Sequence, residues 1–371
     1  MFFPHSLHSK ERFNPMPKMP KHIFESEEFQ SQAWYQGCSD EIQVLPDSKG
    51  WYDFKQLQEL EDSGEYVAEY KGDGNWNALF KSTECNHYSR SKTRKYYPLE
   101  HWEELPDGTI LVGEIMRGSQ FATKMVEKVG HEMMLIWDIL FKDYESVKHL
   151  PATKRREILE STIKGLSKEA QSWYRIMPRL EKGFAQEYID QHEGLVLKRK
   201  DEGAYIGCGR KVSDWMKVKK FFESDAVILG YEKSIAITKA VKDLTATIVV
   251  GVYGNFPVEE CRKEFELWKR NPNYVGCGFG DLNIPFQIEK NGAKLNLKPV
   301  CAVTSGDFAL GEKLVKEFSH WKNKVLKVHN FGQFDSGSFR HPSAKEGIHA
   351  LRDDKSAEDC IFTGVTYKLL D

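Results

Sequence analysis

The chain has 371 residues, with 53 lysines and arginines against 55 aspartates and glutamates and a formal net charge of −2 at pH 7. That length suffices for a large core and for two domains, while the balanced charge excludes a protein that holds nucleic acid through global basicity and confines any such site to a local patch. The seven cysteines are odd in number and scattered without a Cys-x-x-Cys, which argues against zinc and against a disulfide framework; no apolar run reaches membrane-spanning length and the proline-broken start is not a signal peptide, so a soluble cytoplasmic chain is expected.

Residues 1–50, with Pro4, Pro15, Pro17 and Pro20 among charges, read as an arm or lead-in with little core. From 51 to 223 the strand-like runs YVAEYK, TILVGEIM, MMLIWDILF, EGLVLKRK and DWMKVKK alternate with helical stretches, the clearest being ATKRREILESTIKGL at 152–166. This pattern predicts an α+β domain. A run of short strands follows, AVILGYEKS, TATIVVGVYG, PVCAVTSG and KVLKVHNF, separated by glycine-rich turns. It predicts a small all-β barrel over 224–371, interrupted by an insertion from Pro257 to Gln287 that reads as a loop.

Within the first domain the stretch EYKGDGNWNALF puts Lys71 where a strand opens into a glycine-bent turn. A solvated hairpin tip accounts for those residues equally well, since glycines at 72 and 74 suit a tight turn and a backbone approaching a phosphate alike. Carboxylates and lysines recur beside other strands: Glu69 and Asp73 around Lys71, Glu114 in LVGEIM, Glu193 in HEGLVLK, and Lys217 with Lys219 in WMKVK. Alternation points Lys217 and Lys219 to one face of their strand, where they meet either solvent or the same phosphate. Trp137 in IWDILF reads as core or as a stacking surface for a base. Arg90, Lys92, Arg94 and Lys95, interleaved with Tyr88, Tyr96 and Tyr97, form a solvated face or a patch for a phosphate-bearing ligand.

In their order along the chain these stretches closely resemble the covalent nucleotidyltransferases, and within them the ATP-dependent DNA ligases, nearest the short two-domain ligases of lytic phages. The resemblance rests on KGDG at 71–74, SR at 89–90, GE at 113–114, WDILF at 137–141, EGLVLK at 193–198 and KVK at 217–219, with FRHPS at 339–343 and RDDK at 352–355 matching the family's closing motif. It implies an adenylylation (nucleotidyltransferase, ATP-grasp-like) domain followed by an OB-fold barrel. It also implies a monomeric enzyme that seals nicked duplex DNA with ATP and Mg²⁺, or Mn²⁺ in its place, and without zinc.

The roles it implies suit the residue types. Lys71 would attack the α-phosphorus of ATP through its free amine and carry a lysyl-AMP. A solvent lysine titrates at about 10.4, so the neighbouring cations Lys217 and Lys219 would favour the amine and neutralise charge growing on the phosphate. Glu193 and Glu114 would hold the metal, Glu114 the ribose hydroxyls, and Glu69 would help read the adenine edge while Trp137 stacks on its face and Asp73 completes the nucleotide site. Arg90 would grip a phosphate, Arg90, Lys92, Arg94, Lys95 and Arg340 would contact DNA, and Arg352 and Lys355 would reach the pyrophosphate.

Two places depart from the family pattern. Trp76 stands five residues after Lys71, where many ligases have an arginine, and it cannot make a bidentate phosphate contact. SAKEGIHAL separates RHP from RDDK by a few residues more than usual. The nearest alternatives are an RNA ligase and a GTP-using capping-type enzyme; a different class is a catalytically silent protein that binds nicks or ends.

Overall fold

The strand-like runs of the first half fold as Tyr66–Tyr70, Asn75–Lys81, Cys85–Ser89, Thr109–Ile115, Met134–Lys142, Gly194–Arg199 and Lys211–Lys220. The structure, a computed structural model, describes residues 16–32, 34, 37–44, 55–117, 120–187, 194–201, 211–220, 222–235, 244–305 and 308–362. Two compact units emerge, one of Met1–Ile42, Phe54–Lys219 and Lys368–Asp371, the other of Gln43–Asp53 and Lys220–Tyr367, so that the main division falls between Lys219 and Lys220. That division falls four residues before the boundary expected at 223/224.

The first unit has two sheets. One runs Gly37–Val44, Lys211–Lys220, Gly194–Arg199, Tyr66–Tyr70 and Arg179–Leu180. The other carries Cys85–Ser89, Asn75–Lys81, Thr109–Ile115 and Met134–Lys142 side by side. The helix Ala152–Lys164 docks on the second sheet through Leu159 and Ile163 and through Arg155, which is fully buried. Its guanidinium grips Asp138 in a fork, 2.9 Å from Nε to Oδ1 and 2.8 Å from Nη2 to Oδ2. A buried bidentate pair fixes direction as well as distance, so the strand residue next to Trp137 is pinned.

The expectation of little core in the lead-in is corrected. Phe24, Phe29 and Trp34 are buried in one cluster with Phe80, Tyr88, Phe141 and Trp215. Ser26 caps the short helix Glu27–Gln30, its hydroxyl accepting from the Phe29 amide at 3.2 Å, and this aims Phe29 inward. Pro20 stands at the N-cap of the short helix Lys21–Phe24, and the aromatic residues supply the apolar surface.

In the second unit Phe222–Ile235 pairs with Leu244–Gly254, that strand with Ala293–Ser305, and that one in parallel with Ser343–Ala344. Ser343 pairs with His329 of Val325–Asn330, which pairs back onto Phe222–Ile235. The ring of pairings is therefore closed. One face of these strands presents Ala226, Ile228, Ile248, Val250, Val252, Leu326 and Val328 to a common core.

The unit is not all-β. The opposite face, with Val227, Leu229, Tyr253 and Val325, is apolar too, and it is covered by Phe265 from the helix Val258–Arg270 and by the segment beyond it. Strands apolar on both faces need cover on both, and the stretch expected to be a loop supplies it. A second helix, Phe308–Lys316, packs Leu310 and Leu314 against the first face. Among the described residues no helix is long and apolar enough to cross a membrane.

Candidate active site

A cavity of about 930 Å³ opens in the first unit, lined from both of its sheets. The Tyr66–Tyr70 strand ends there, and the Lys71 amide donates to the Gly194 carbonyl at 2.9 Å, tying the turn to the neighbouring strand. The half-buried Lys71 ammonium reaches its own turn at the Gly72 carbonyl, 3.4 Å away. Neither Gly72 nor Gly74 needs a positive φ. Both answer close approach instead: a Cβ on Gly72 would stand 2.7 Å from Glu114 Oε2, and one on Gly74 would stand 2.4 Å from the Ile115 carbonyl oxygen. The Gly74 amide donates to Glu114 Oε2 at 2.8 Å, so the carboxylate is aimed across the turn beside Lys71.

Lys217 and Lys219 sit opposite Val196 and Gly194, two residues apart on one strand face, and both line the cavity. Trp137 lines it from the other sheet, as does Trp76, which pairs across the strands with Glu114. Ser89 and Arg90 come from the end of Cys85–Ser89. Lys71, Glu114, Trp137, Lys217, Lys219 and Arg90 are thus brought together. Glu193 lies outside the described residues. Asp73 is half-buried and does not line the cavity.

Glu69 lines the cavity, but the expectation of a free carboxylate reading a base edge is corrected. It is 3% exposed, with Lys198 Nζ 2.5 Å from Oε2 and Arg156 Nη1 3.4 Å from Oε1. Lys198 also donates to the Trp137 carbonyl at 3.0 Å and lies 4.5 Å from the centre of the Trp215 ring. Lys198, Arg156 and Trp215 are the residues that sequence reasoning left without a role. The last position of EGLVLK was a signal for Lys198; Arg156 stands in a charge-rich helix that reads as solvated.

In the basic patch Arg90, Lys92, Arg94 and Lys95 are exposed, as is Tyr96, while Tyr88 is part of the core. Arg94, Lys95, Tyr96 and Tyr97 also line a smaller cavity of about 370 Å³, which has His87 in its wall. Asn77 Nδ2 can only donate, so at 3.0 Å it makes His87 Nδ1 the acceptor and leaves the proton on Nε2. Burial pushes the imidazole down to about 4.

Arg340, Arg352 and Lys355 belong to the second unit and do not line the cavity. Arg340 is 6% exposed, so its expected place as a surface contact for DNA is corrected. Arg352 forks onto Asp354 at 2.6 Å through Nε and Nη2, and Lys355 stands 3.4 Å from Asp225.

Residues 111–219 match the family model described as the ATP dependent DNA ligase domain. The SPbeta prophage-derived DNA ligase-like protein LigB of Bacillus subtilis (strain 168) is 24% identical over 190 residues, 45% of this chain and 66% of that protein. A DNA ligase of Thermococcus fumicolans is 25% identical over 244 residues, 64% of this chain and 38% of that one. The chain therefore spans just under two thirds of the first relative and well under half of the second. Among solved structures, a Lig E DNA ligase is similar with a TM-score of 0.48 at 12% identity, covering 78% of this chain and 93% of its own. Mycobacterial DNA ligase D, complexed with ATP and MES, has a TM-score of 0.40 at 16% identity, with 80% and 92% covered. The resemblance to ATP-dependent DNA ligases is borne out, and the matched segment contains Glu114, Trp137, Lys198, Lys217 and Lys219.

Proposed function

We propose that this chain, a relative of the ATP-dependent DNA ligases, seals nicks in duplex DNA with ATP through a lysyl-AMP intermediate. The observation that carries the reading is the convergence of Lys71, Glu114, Trp137, Lys217 and Lys219 on one cavity. Lys71 Nζ, deprotonated, attacks the α-phosphorus; the N–P bond forms as the bond to pyrophosphate breaks. Lys217 and Lys219 meet the charge that gathers on the non-bridging oxygens. Trp137 stacks on the adenine, and Glu114, already aligned by the Gly74 amide, holds the ribose. The buried Glu69–Lys198 pair shapes the wall rather than offering a free acceptor.

The donor set fits a divalent ion, since Mg²⁺ takes one or two carboxylates together with substrate phosphates. Glu193 and Glu114 would hold Mg²⁺, or Mn²⁺ in its place, and the ion when bound neutralises phosphate charge. The 5′-phosphate of the nick then takes the AMP from Lys71, with Arg90 as its grip, and the 3′-hydroxyl displaces AMP to make the phosphodiester. Arg90, Lys92, Arg94 and Lys95 follow the DNA backbone. The second unit, read as an OB-fold, brings Arg352 and Lys355 to the pyrophosphate and then clamps the duplex. A monomer suffices for this cycle.

The test is covalent labelling. Incubated in turn with ATP, GTP and NAD carrying label in the adenylyl or guanylyl part, the protein should retain label from ATP alone, and Lys71→Ala should abolish it while leaving the circular dichroism unchanged. Label from GTP would move the reading to a capping-type enzyme. Absence of any label, with nicked DNA still bound, would make the chain a silent nick-binding protein.

A further inference from the structure

We propose that the second unit holds a divalent transition-metal site formed by Glu223, His329 and Glu346. Glu223 lies directly opposite His329 in the pairing of Phe222–Ile235 with Val325–Asn330. On its other side His329 pairs with Ser343, three residues before Glu346. Three chain segments therefore deliver one ligand each. His329 Nε2 stands 3.6 Å from Glu223 Oε1 and 3.5 Å from Glu346 Oε1, and the three ligand atoms lie within 4.8 Å of one another.

Two surface carboxylates alone would say little. The imidazole adds an independent observation, because His329 is 9% exposed and its Nε2, aimed between the carboxylates, makes no hydrogen bond. A buried ring nitrogen whose nearest acceptors are carboxylates 3.5 Å or more away leaves room for an ion among the three. Tetrahedral ligands about 2.1 Å from an ion stand about 3.4 Å apart, close to the spacing of the imidazole to each carboxylate. One nitrogen and two oxygens suit Zn²⁺, Co²⁺ or Mn²⁺ better than Mg²⁺, which prefers oxygen alone. The scattered cysteines, which argue against a cysteine zinc site, do not bear on this one.

Lys327 is the competitor. Its ammonium stands 3.1 Å from Glu346 and 3.6 Å from Glu223, where it balances both carboxylates. Its side chain is 20% exposed and on a flexible stem can swing to solvent as an ion enters. The site also gives the long SAKEGIHAL spacing a use, since that stretch contains Glu346 and leads directly into Leu351–Arg352, which pairs with Val325 and Leu326. A bound ion would fasten the approach to Arg352 onto two strands of the closed ring.

The experiment uses the full chain, stripped with a chelator and desalted, then titrated with Co²⁺ while the visible absorption is followed. One Co²⁺ should bind with a visible spectrum that Zn²⁺ abolishes and excess Mg²⁺ does not, and Zn²⁺ should raise the Tm. Glu346→Gln and His329→Ala should each weaken binding roughly tenfold or more, whereas Lys327→Met should tighten it. Metal-free Glu346→Gln, with its amide close in shape to the carboxylate, should keep the wild-type circular dichroism. Absence of a visible spectrum in both the wild type and Lys327→Met would leave only an ion-pair network, and equal binding by Glu346→Gln would place the ion elsewhere; either result overturns the proposal.

Discussion

Beside the cavity of the first unit, the Lys198 and Glu69 side chains are 4% and 3% exposed and 2.5 Å apart, whereas in the second unit Arg352 and Asp354 pair at 2.6 Å with 25% and 62% of their side chains exposed. The distances are alike, but the surroundings set different consequences. A buried charge stripped of its partner costs about 3–5 kcal/mol, while an exposed pair contributes roughly 0–1 kcal/mol. The first arrangement is a frame that holds the cavity wall before any nucleotide arrives. The second can exchange partners at little cost, as the pyrophosphate contact proposed for Arg352 requires.

Breaking the frame should have the largest effect. Lys198→Met leaves Glu69 buried with only Arg156 at 3.4 Å, and chemical denaturation should show a loss of roughly 3 kcal/mol or more together with loss of ATP labelling. A stability change under about 1 kcal/mol would mean that the buried pair is no firmer than the exposed one.

Acid titration sharpens the contrast at intermediate size. The folded state keeps His87 near 4 against an ordinary value of 6.5, so the unfolded chain takes up the proton first and stability falls as pH drops from about 6.5 towards 4. A loss on the order of 2 to 3 kcal/mol is expected, and His87→Gln should flatten that part of the profile. Asp354, held down to about 2 by its hydrogen bond from Arg352, keeps its contribution above its ordinary value of 3.8 and loses it as pH falls from there towards 2. Melting followed by tryptophan fluorescence between pH 7 and 4 would test this order.

The smallest expected change in stability comes from Arg352→Ala, within about 1 kcal/mol. Its activity should nonetheless split: labelling by ATP should fall strongly, whereas sealing of a nick already carrying a 5′-adenylate should persist, because no pyrophosphate is expelled in that step. Equal loss in both assays would remove Arg352 from the first step alone.

Much of the cavity was legible from the chain because its groups sit at strand ends or alternate along strands, where position in sequence dictates position in space. Lys217 and Lys219 needed only the period of two, and Lys71 only the break after YVAEY. Arg156 and Glu69, by contrast, are 87 residues apart in sequence, and no local pattern tells which side of a charged helix will meet a buried carboxylate. The glycines of KGDG were seen, but their reason was not: it lies in Glu114 and Ile115, about 40 residues away. The helix at 258–270 was missed although the continuous apolar run AVILG at 226–230 signals a strand that needs cover on both faces; the run does not say which segment supplies it.

The aromatic cluster of the lead-in also sets a schedule for synthesis. Phe24, Phe29 and Trp34 leave the ribosome well before Phe141, which all three rings meet at 5.7 to 6.0 Å between centres and which follows roughly 110 residues later. At about 5–20 residues per second, that is an interval of roughly 5 to 20 s in which the nascent chain displays an uncovered aromatic face that a chaperone can hold.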